Sequence, residues 1–447
     1  MSEDLKSRGN AMPDASAPAI PDRPGFATAL AYWFRLGCLS FGGPAGQIAM
    51  MQHDLVDGRR WIGQRAFLRG LSFATLLPGP EATQLAIYIG WRLHGTAGGI
   101  AAGALFVLPG MACMLALSWL AAAHGETGFV GAIFDGLKPV VVAIVGHAVW
   151  RIGRKALGGW PPAALAAAAF VAIHLLGVGF PWVVVAAAGI GWLSTLGGRE
   201  SPFAGGAHGA AVDGDEVPHF AALPPNASRR FAGLSIVFAV LWAIPVGAVL
   251  WAMGTRPFLD IADLFTKAAF VTFGGAYAVL PYVADAAVRV YAWLSPAEML
   301  NGLALAETTP GPLILVLQYV GFFAGWNTAA SDPLLPAAMG ALLASYVTFL
   351  PSFFFILAAA PYIEGLHENR AASAALGAIT AAVVGVVLNL AVFLGTAVFM
   401  GSSGRIDLAA VAVAAVALFA LVRFGTAIHW LVFAGAAYGL ARWIIGL

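Results

Sequence analysis

The chain has 447 residues, 60% of them hydrophobic and only 10% charged, with a mean hydropathy of +0.84. Soluble domains carry roughly 25% charged residues, so a water-facing globule is excluded. The formal net charge of +1 gives no sign of an acidic or nucleic-acid partner, and none is expected. Apolar runs of about 20 residues recur along the chain, as spanning helices require, and they lack the short alternating pattern of a membrane barrel. The expected fold is an all-α polytopic membrane protein with the lipid bilayer as its surroundings.

Residues 1–25 are polar and rich in proline and small residues, which predicts a disordered tail. They lack the basic-then-apolar order of a cleaved leader. A first unit follows over 26–197, with apolar segments at 26–50, 65–91, 96–123, 128–153, 161–178 and 180–197. Residues 198–231, with Asp213, Asp215 and Glu216, are too polar and too rich in glycine and proline for lipid and read as a linker. A segment at 232–257 connects to a second unit over 258–447, whose apolar segments lie near 258–283, 295–325, 336–359, 371–399, 406–421 and 427–446. Cys38 and Cys113, the two cysteines, form neither a disulfide framework nor a metal-ligand spacing.

The two units are copies. Ser40-Phe41-Gly42-Gly43, Trp61 and Pro78-Gly79-Pro80 return as Thr272-Phe273-Gly274-Gly275, Trp293 and Pro310-Gly311-Pro312. The offset is constant, since 274 − 42, 293 − 61 and 310 − 78 all equal 232. Six spanning segments followed by one unmatched segment would start the second unit from the opposite face. That is an inverted-topology repeat, a recurrent build of secondary transporters. Arginine and lysine clusters place the N-terminus and the linker in the cytoplasm. One loop, with Arg59, Arg60, Arg65 and Arg69, falls on the wrong side by simple counting. It returns to the cytoplasmic side if 26–50 and 65–91 are re-entrant hairpins that turn at their glycine–proline breaks.

A break inside the bilayer frees backbone groups that survive only where protein or water satisfies them. The helix starting after each break presents N–H groups and a positive dipole end, which suits an anion. The candidate substrate-binding residues are therefore Gly42, Gly43, Pro78, Gly79, Pro80, Gly274, Gly275, Thr309, Pro310, Gly311 and Pro312. Ser40, Gln47 and Thr272 join them as neighbouring hydrogen-bonding groups. Arg35 and Lys267 are equivalent cations (267 − 35 = 232) within apolar segments, and such charges mark function unless they merely snorkel. Glu81 and Glu307 are not equivalents, and both are candidates for proton coupling because desolvation disfavours their ionised form. Gln84, Gln318 and Asn389 read as packing polar groups. No nucleophile–base pair, metal-ligand set or phosphate loop is present, so no catalytic residue, metal or cofactor is expected and the chain is not read as an enzyme.

At these residues the sequence resembles the chromate ion transporter family in its long, two-domain form. The resemblance rests on Ser40 through Pro44 with Gln47, on Trp61, on Leu77 through Pro80, on Thr272 through Gly275, on Leu303 through Pro312 and on Gln318. It implies secondary active export of chromate across the bacterial inner membrane, conferring chromate resistance, with sulfate as the alternative anion. Ala276 stands where the first unit has Pro44, so the halves are not equal. A membrane enzyme or scaffold is the alternative of another class, and a homodimer is compatible with the reading.

Overall fold

The structure is a computed structural model, and it describes residues 24–41, 43–125, 127–196, 201–203, 227–273, 275–359, 370–400 and 405–446. All but the last two residues of the predicted tail, and most of the predicted linker, lie outside the described residues. The described chain is helical: α1 Phe26–Leu39, α2 Gly43–Gln52, α3 Gln64–Leu76, α4 Glu81–His124, α5 Gly128–Ala156, α6 Trp160–His174 and α7 Phe180–Leu193 form the first half. Helix α8 Ala227–Met253 follows, beginning inside the stretch read as linker. Then come α9 Phe258–Val271, α10 Ala276–Asp285, α11 Pro296–Thr308, α12 Val316–Thr328, α13 Leu334–Ala359, α14 Arg370–Phe399, α15 Leu408–Phe424 and α16 Ile428–Ile445. Six of these (α4, α5, α8, α13, α14 and α16) are long and apolar enough to cross a membrane.

The repeat seen in sequence is a repeat of backbone conformation. At the breaks and after the π turns, positive φ angles occur in pairs: Gly43 and Gly275, Arg60 and Ala292, Gly79 and Gly311. Each pair is 232 residues apart. A π-helical turn closes α2 at His53–Gly58, and another closes α10 at Ala286–Val290. At Gly79 (φ 135°) and Gly311 (φ 93°), between two prolines, only glycine enters the required region without strain.

Both broken segments of the first half re-enter. The π turn after α2 runs back along α1, placing the Arg59 guanidinium 5.3 Å from the centre of the Tyr32 ring. Helix α3 lies antiparallel to the start of α4, where a Cβ on Gly70 would collide with the Tyr88 ring. Helix α4 is itself a hairpin: backbone at His94 and Gly95 is non-helical, and a Cβ at Gly90 would sit 2.5 Å from that of Ala102. Its first arm (81–93) ends beside the start of α1, with a ring nitrogen of His94 2.9 Å from the Pro24 carbonyl. Apart from the two breaks, every turn so far falls at one end of the bundle, hereafter the near end, which keeps the Arg59–Arg69 stretch there as expected.

The second arm of α4 (96–124) crosses to the far end and α5 returns. The Gly435 and Gly439 pair of α16 packs on Gly136 of α5, where any Cβ would strike the partner's backbone; small residues of this spacing let helices approach closely within lipid. The shorter α6 and α7 make a further round trip, His174 bonding Asn389 of α14 at 2.8 Å. Helix α8 then runs from the near end, where Phe231 meets Phe354 of α13, towards the far end. The second half therefore starts from the far end. Its contacts agree: α13 runs antiparallel to the second arm of α4, with Phe353 against Gly103 and Leu357 against Gly99. The two halves are inverted copies. Their outer helices α6, α7, α8, α15 and α16 expose apolar side chains such as Trp251, Leu408 and Ile244, a surface suited to lipid and unstable in water.

Candidate functional site

The four breaks meet. The Gly79 N–H donates to the Thr272 carbonyl at 2.8 Å, and the Gly311 N–H donates to the Ser40 carbonyl at 3.0 Å. Since 311 − 79 and 272 − 40 both equal 232, these are one contact made twice, each half giving to the other. Such reciprocity defines a pseudo-two-fold relation. The bonds also answer a local need, because Ser40 and Thr272 cap the C-termini of α1 and α9 and their carbonyls lack helical partners.

The helices that restart beyond the breaks have no such provision at their N-termini. No side chain caps α4 after Pro80, α10 after Gly275, or the 3-10 turn Leu313–Leu315 after Pro312. Their first N–H groups and dipole ends remain available to an anion. Gly42 and Gly274 lie outside the described residues, while Gly43 and Gly275 flank them with positive φ.

The side chains around this junction are buried and polar. Gln47 donates to the Gly311 carbonyl at 2.6 Å and to that of Ser40 at 3.3 Å, and Gln84 donates to the Pro78 carbonyl at 2.7 Å. Among the described residues, ten buried side-chain polar atoms have no hydrogen-bond partner. Six belong here: Ser40 Oγ, Gln47 Oε1, Thr83 Oγ1, Gln84 Oε1, Glu307 Oε2 and Ser352 Oγ. An unpaired buried polar atom costs about 1–3 kcal/mol, so a cluster of six is the mark of a site that binds polar matter. Thr272 Oγ1, by contrast, is used up on the Ala268 carbonyl at 2.5 Å, and Thr309 Oγ1 bonds Ala306 at 3.3 Å.

The two carboxylates gather at one half-site. The Tyr277 hydroxyl donates to Glu307 Oε1, joining the first turn of α10 to the end of α11. Glu81, in the first turn of α4, reaches across the pseudo-two-fold: its Oε1 lies 4.0 Å from where a Cβ on Gly275 would be. Both acids therefore flank the start of α10, and the start of α2 has neither, with Ala45 and Thr75 at the positions matching Tyr277 and Glu307. Arg151, near the end of α5, lies within electrostatic reach of Glu307 and Tyr277.

The cations stand apart from the junction. Arg35 and Lys267 are exposed, each five residues before Ser40 or Thr272, or ~7.5 Å along the helix axis. Arg35 borders a cavity of about 470 Å³, and Lys267 is 2.6 Å from Asp263. Gln318 bonds the Met111 carbonyl at 2.8 Å and accepts from Ser345 at 3.0 Å, which makes it a packing link.

Sequence reading missed Ser352, Thr83, Tyr277 and Arg151. Ser352 follows Pro351 within α13 and abuts Gly79. Its signal is a second repeat offset: Pro351 matches Pro109 of α4 (351 − 109 = 242), and Gly110 beside Pro109 in turn abuts Pro310.

The chromate transporter family matches residues 27–192 and 259–440. The chromate transport protein of Pseudomonas aeruginosa is 32% identical over 383 residues, covering 84% of this chain and 82% of that protein. The chromate transport protein of Cupriavidus metallidurans is 28% identical over 413 residues, covering 91% of this chain and 90% of its own. An uncharacterized transporter of Bacillus subtilis, YwrB, is 33% identical over 126 residues, which are 28% of this chain and 64% of that one. No solved structure matches. Two inverted helical halves whose paired breaks meet at a buried polar junction are thus the architecture of a chain that belongs to the chromate transporter family.

Proposed function

We propose that the protein is a secondary active transporter of a tetrahedral oxyanion, exporting chromate across the cytoplasmic membrane. The observation that carries this is the reciprocal junction of Ser40, Gly79, Thr272 and Gly311, ringed by unpartnered buried polar atoms. Its hydroxyls and helix N-termini suit an oxyanion. Four re-entrant tips held by two hydrogen bonds form a gate that either half can open towards its own end. Gly43, Gln47, Pro78, Pro80, Gly275, Pro310 and Pro312 shape this gate, with Thr309 beside it; Gly42 and Gly274, outside the described residues, are assigned to it from sequence alone. Arg35 and Lys267 sit on the helices leading to it from opposite ends.

Glu81 and Glu307 occupy the start of α10, where an ionised carboxylate takes the place of an oxyanion. Protonation vacates it. Proton binding and anion binding are then positively linked, so the two load together, which is what a proton–anion cotransporter needs.

The near end is assigned to the cytoplasm. Arg59, Arg60, Arg65, Arg69, Arg151, Arg154, Lys155, Arg229, Arg230, Arg370 and Arg423 lie there. The far end has Arg256, Arg289, Arg405 and Arg442, three of them paired with Asp260, Asp285 and Asp407. The excess of free cations follows the positive-inside rule.

The test is uptake of labelled chromate and labelled sulfate into everted vesicles, with and without an uncoupler. Uncoupler-sensitive chromate uptake is expected, with coupling lost in Glu307→Gln and in Glu81→Gln. Uptake that ignores both the uncoupler and these substitutions would refute the coupling, and no saturable uptake of either anion would refute transport. Modification of Arg229→Cys by an impermeant maleimide only in everted vesicles is expected, in a background with Cys38 and Cys113 replaced by serine.

A further inference from the structure

The pseudo-two-fold makes the two mouths of the transporter comparable position by position, and they differ in charge. At the near mouth, Tyr32, Arg35, His53, Asp54 and Arg59 line the cavity of about 470 Å³ between α1 and the returning π turn. The Arg59 guanidinium rests on the rings of Tyr32 and Trp61, 5.3 and 5.1 Å from their centres. Among the described residues no carboxylate pairs with Arg35 or Arg59, and Asp54 pairs with neither.

At the far mouth each of three cations is paired with a carboxylate four residues away. Lys267 pairs with Asp263 at 2.6 Å, Arg256 with Asp260 at 3.5 Å and Arg289 with Asp285 at 3.4 Å. Tyr282 and Tyr291 lie within electrostatic reach of Lys267, and they occupy the positions of Met50 and Arg59 (282 − 50 and 291 − 59 both equal 232). The decisive substitutions are Asp263 against Ala31 and Asp285 against His53, each 232 residues apart. One mouth keeps free cations around a cavity, and the other cancels them.

We propose that the near-end cavity is a loading site for the tetrahedral dianion, separate from the tip junction, with Arg35 and Arg59 as its ligating cations and no counterpart at the far mouth. It rests on the transport reading above and adds direction to it: a dianion is captured at the near mouth and meets no equivalent hold at the far one. Arg59 is pre-oriented by the two rings, so its guanidinium is presented at little cost in side-chain freedom. Its planar fork suits two oxygens of an oxyanion.

The experiment copies the far mouth onto the near one. Ala31→Asp sets a carboxylate four residues before Arg35, as Asp263 stands before Lys267, and Arg59→Gln removes the second cation. Initial rates are measured against external chromate in everted and in right-side-out vesicles. Each variant is expected to raise KM about five- to thirtyfold when the near end faces the medium, from the loss of one charge's attraction for a dianion. The near-side maximal rate and the far-side KM should hold, and detailed balance then places the matching fall in the far-side maximal rate. Asp263→Asn, which frees Lys267, should lower the far-side KM. An unchanged near-side KM in both variants overturns the proposal, as does an equal rise from both sides, which would assign these cations to the central junction. If the wild-type protein moves neither anion, the transport reading fails and the mouth is decided separately. Equilibrium binding of radiolabelled sulfate to the purified full chain then settles it: a five- to thirtyfold loss in Ala31→Asp upholds the site, and equal affinity removes it.

Discussion

Gln47 offers the sharpest test of the junction between the halves. It is fully buried, and its amide donates to Gly311 across the pseudo-two-fold at 2.6 Å. Gln47→Leu keeps much of the side-chain volume but leaves the Gly311 carbonyl without that donor. A buried carbonyl stranded in this way costs about 1–3 kcal/mol. The Ser40 carbonyl adds little, because it still receives the Gly311 N–H at 3.0 Å. Part of the cost is returned, since Gln47 Oε1 has no partner of its own and its removal relieves an unsatisfied acceptor. The net loss is about 1–2 kcal/mol, or roughly a five- to thirtyfold shift in the balance between joined and parted tips. Thermal unfolding of the purified protein in detergent should show a lowered Tm. Chromate uptake in vesicles should change in maximal rate by a comparable factor. A variant with the wild-type Tm and wild-type rate would mean that the tips do not meet as described.

Two further expectations concern the frame. Gly439→Leu should abolish the monodisperse folded protein in detergent chromatography, because the added side chain meets the backbone of α5 at Ala132 and Gly136 and two helix backbones must separate; normal yield and elution would contradict this packing. Asp407 caps α15 through the Ala409 and Ala410 N–H groups, both at 3.0 Å. These bonds, led by that of Ala410 and aided by Arg442, hold its carboxyl below the ordinary value of 3.8. Asp407→Ala should cost about 1 kcal/mol at neutral pH. A depressed folded pKa gives stability that is present above the unfolded value and lost as pH falls through the folded one. The difference in Tm between wild type and variant should therefore shrink only below about pH 4, and a difference that disappears nearer neutrality would refute the cap.

The repeat was legible in sequence because it is a repeat of backbone exceptions. Glycine and proline announce positive φ and missing donors, and the offset of 232 carries them from Gly43 and Gly79 to Gly275 and Gly311. Re-entrance was legible from Arg59 to Arg69, whose charges had no tolerable place at the opposite face. Beyond the first arm of α4 the offset changes to 242, a slip of ten residues, so Pro109 and Pro351 did not align and Ser352 went unnoticed. Arg151 reads in sequence only as one of the charges that set orientation; α5 extends to Ala156, and its last turns bring that side chain within electrostatic reach of Glu307. The exposure of Arg35 and Lys267 was not legible, because the face that a half-length helix turns inward is set by which neighbours cover it. Which tip touches which is tertiary information, and no local pattern encodes it.

The two tip-to-tip bonds have a consequence for how such a chain can be built. The first half contributes one acceptor, the Ser40 carbonyl, and one donor, the Gly79 N–H, and it can satisfy neither by itself. A second copy of that half, inserted upside down, would offer the same two groups in register, so each half is a self-complementary piece with half a gate. Severed within the linker, the two halves of this chain should therefore be inert apart and whole when made together in one membrane. The unmatched helix α8 would then be needed only to bring opposite orientations into a single polypeptide.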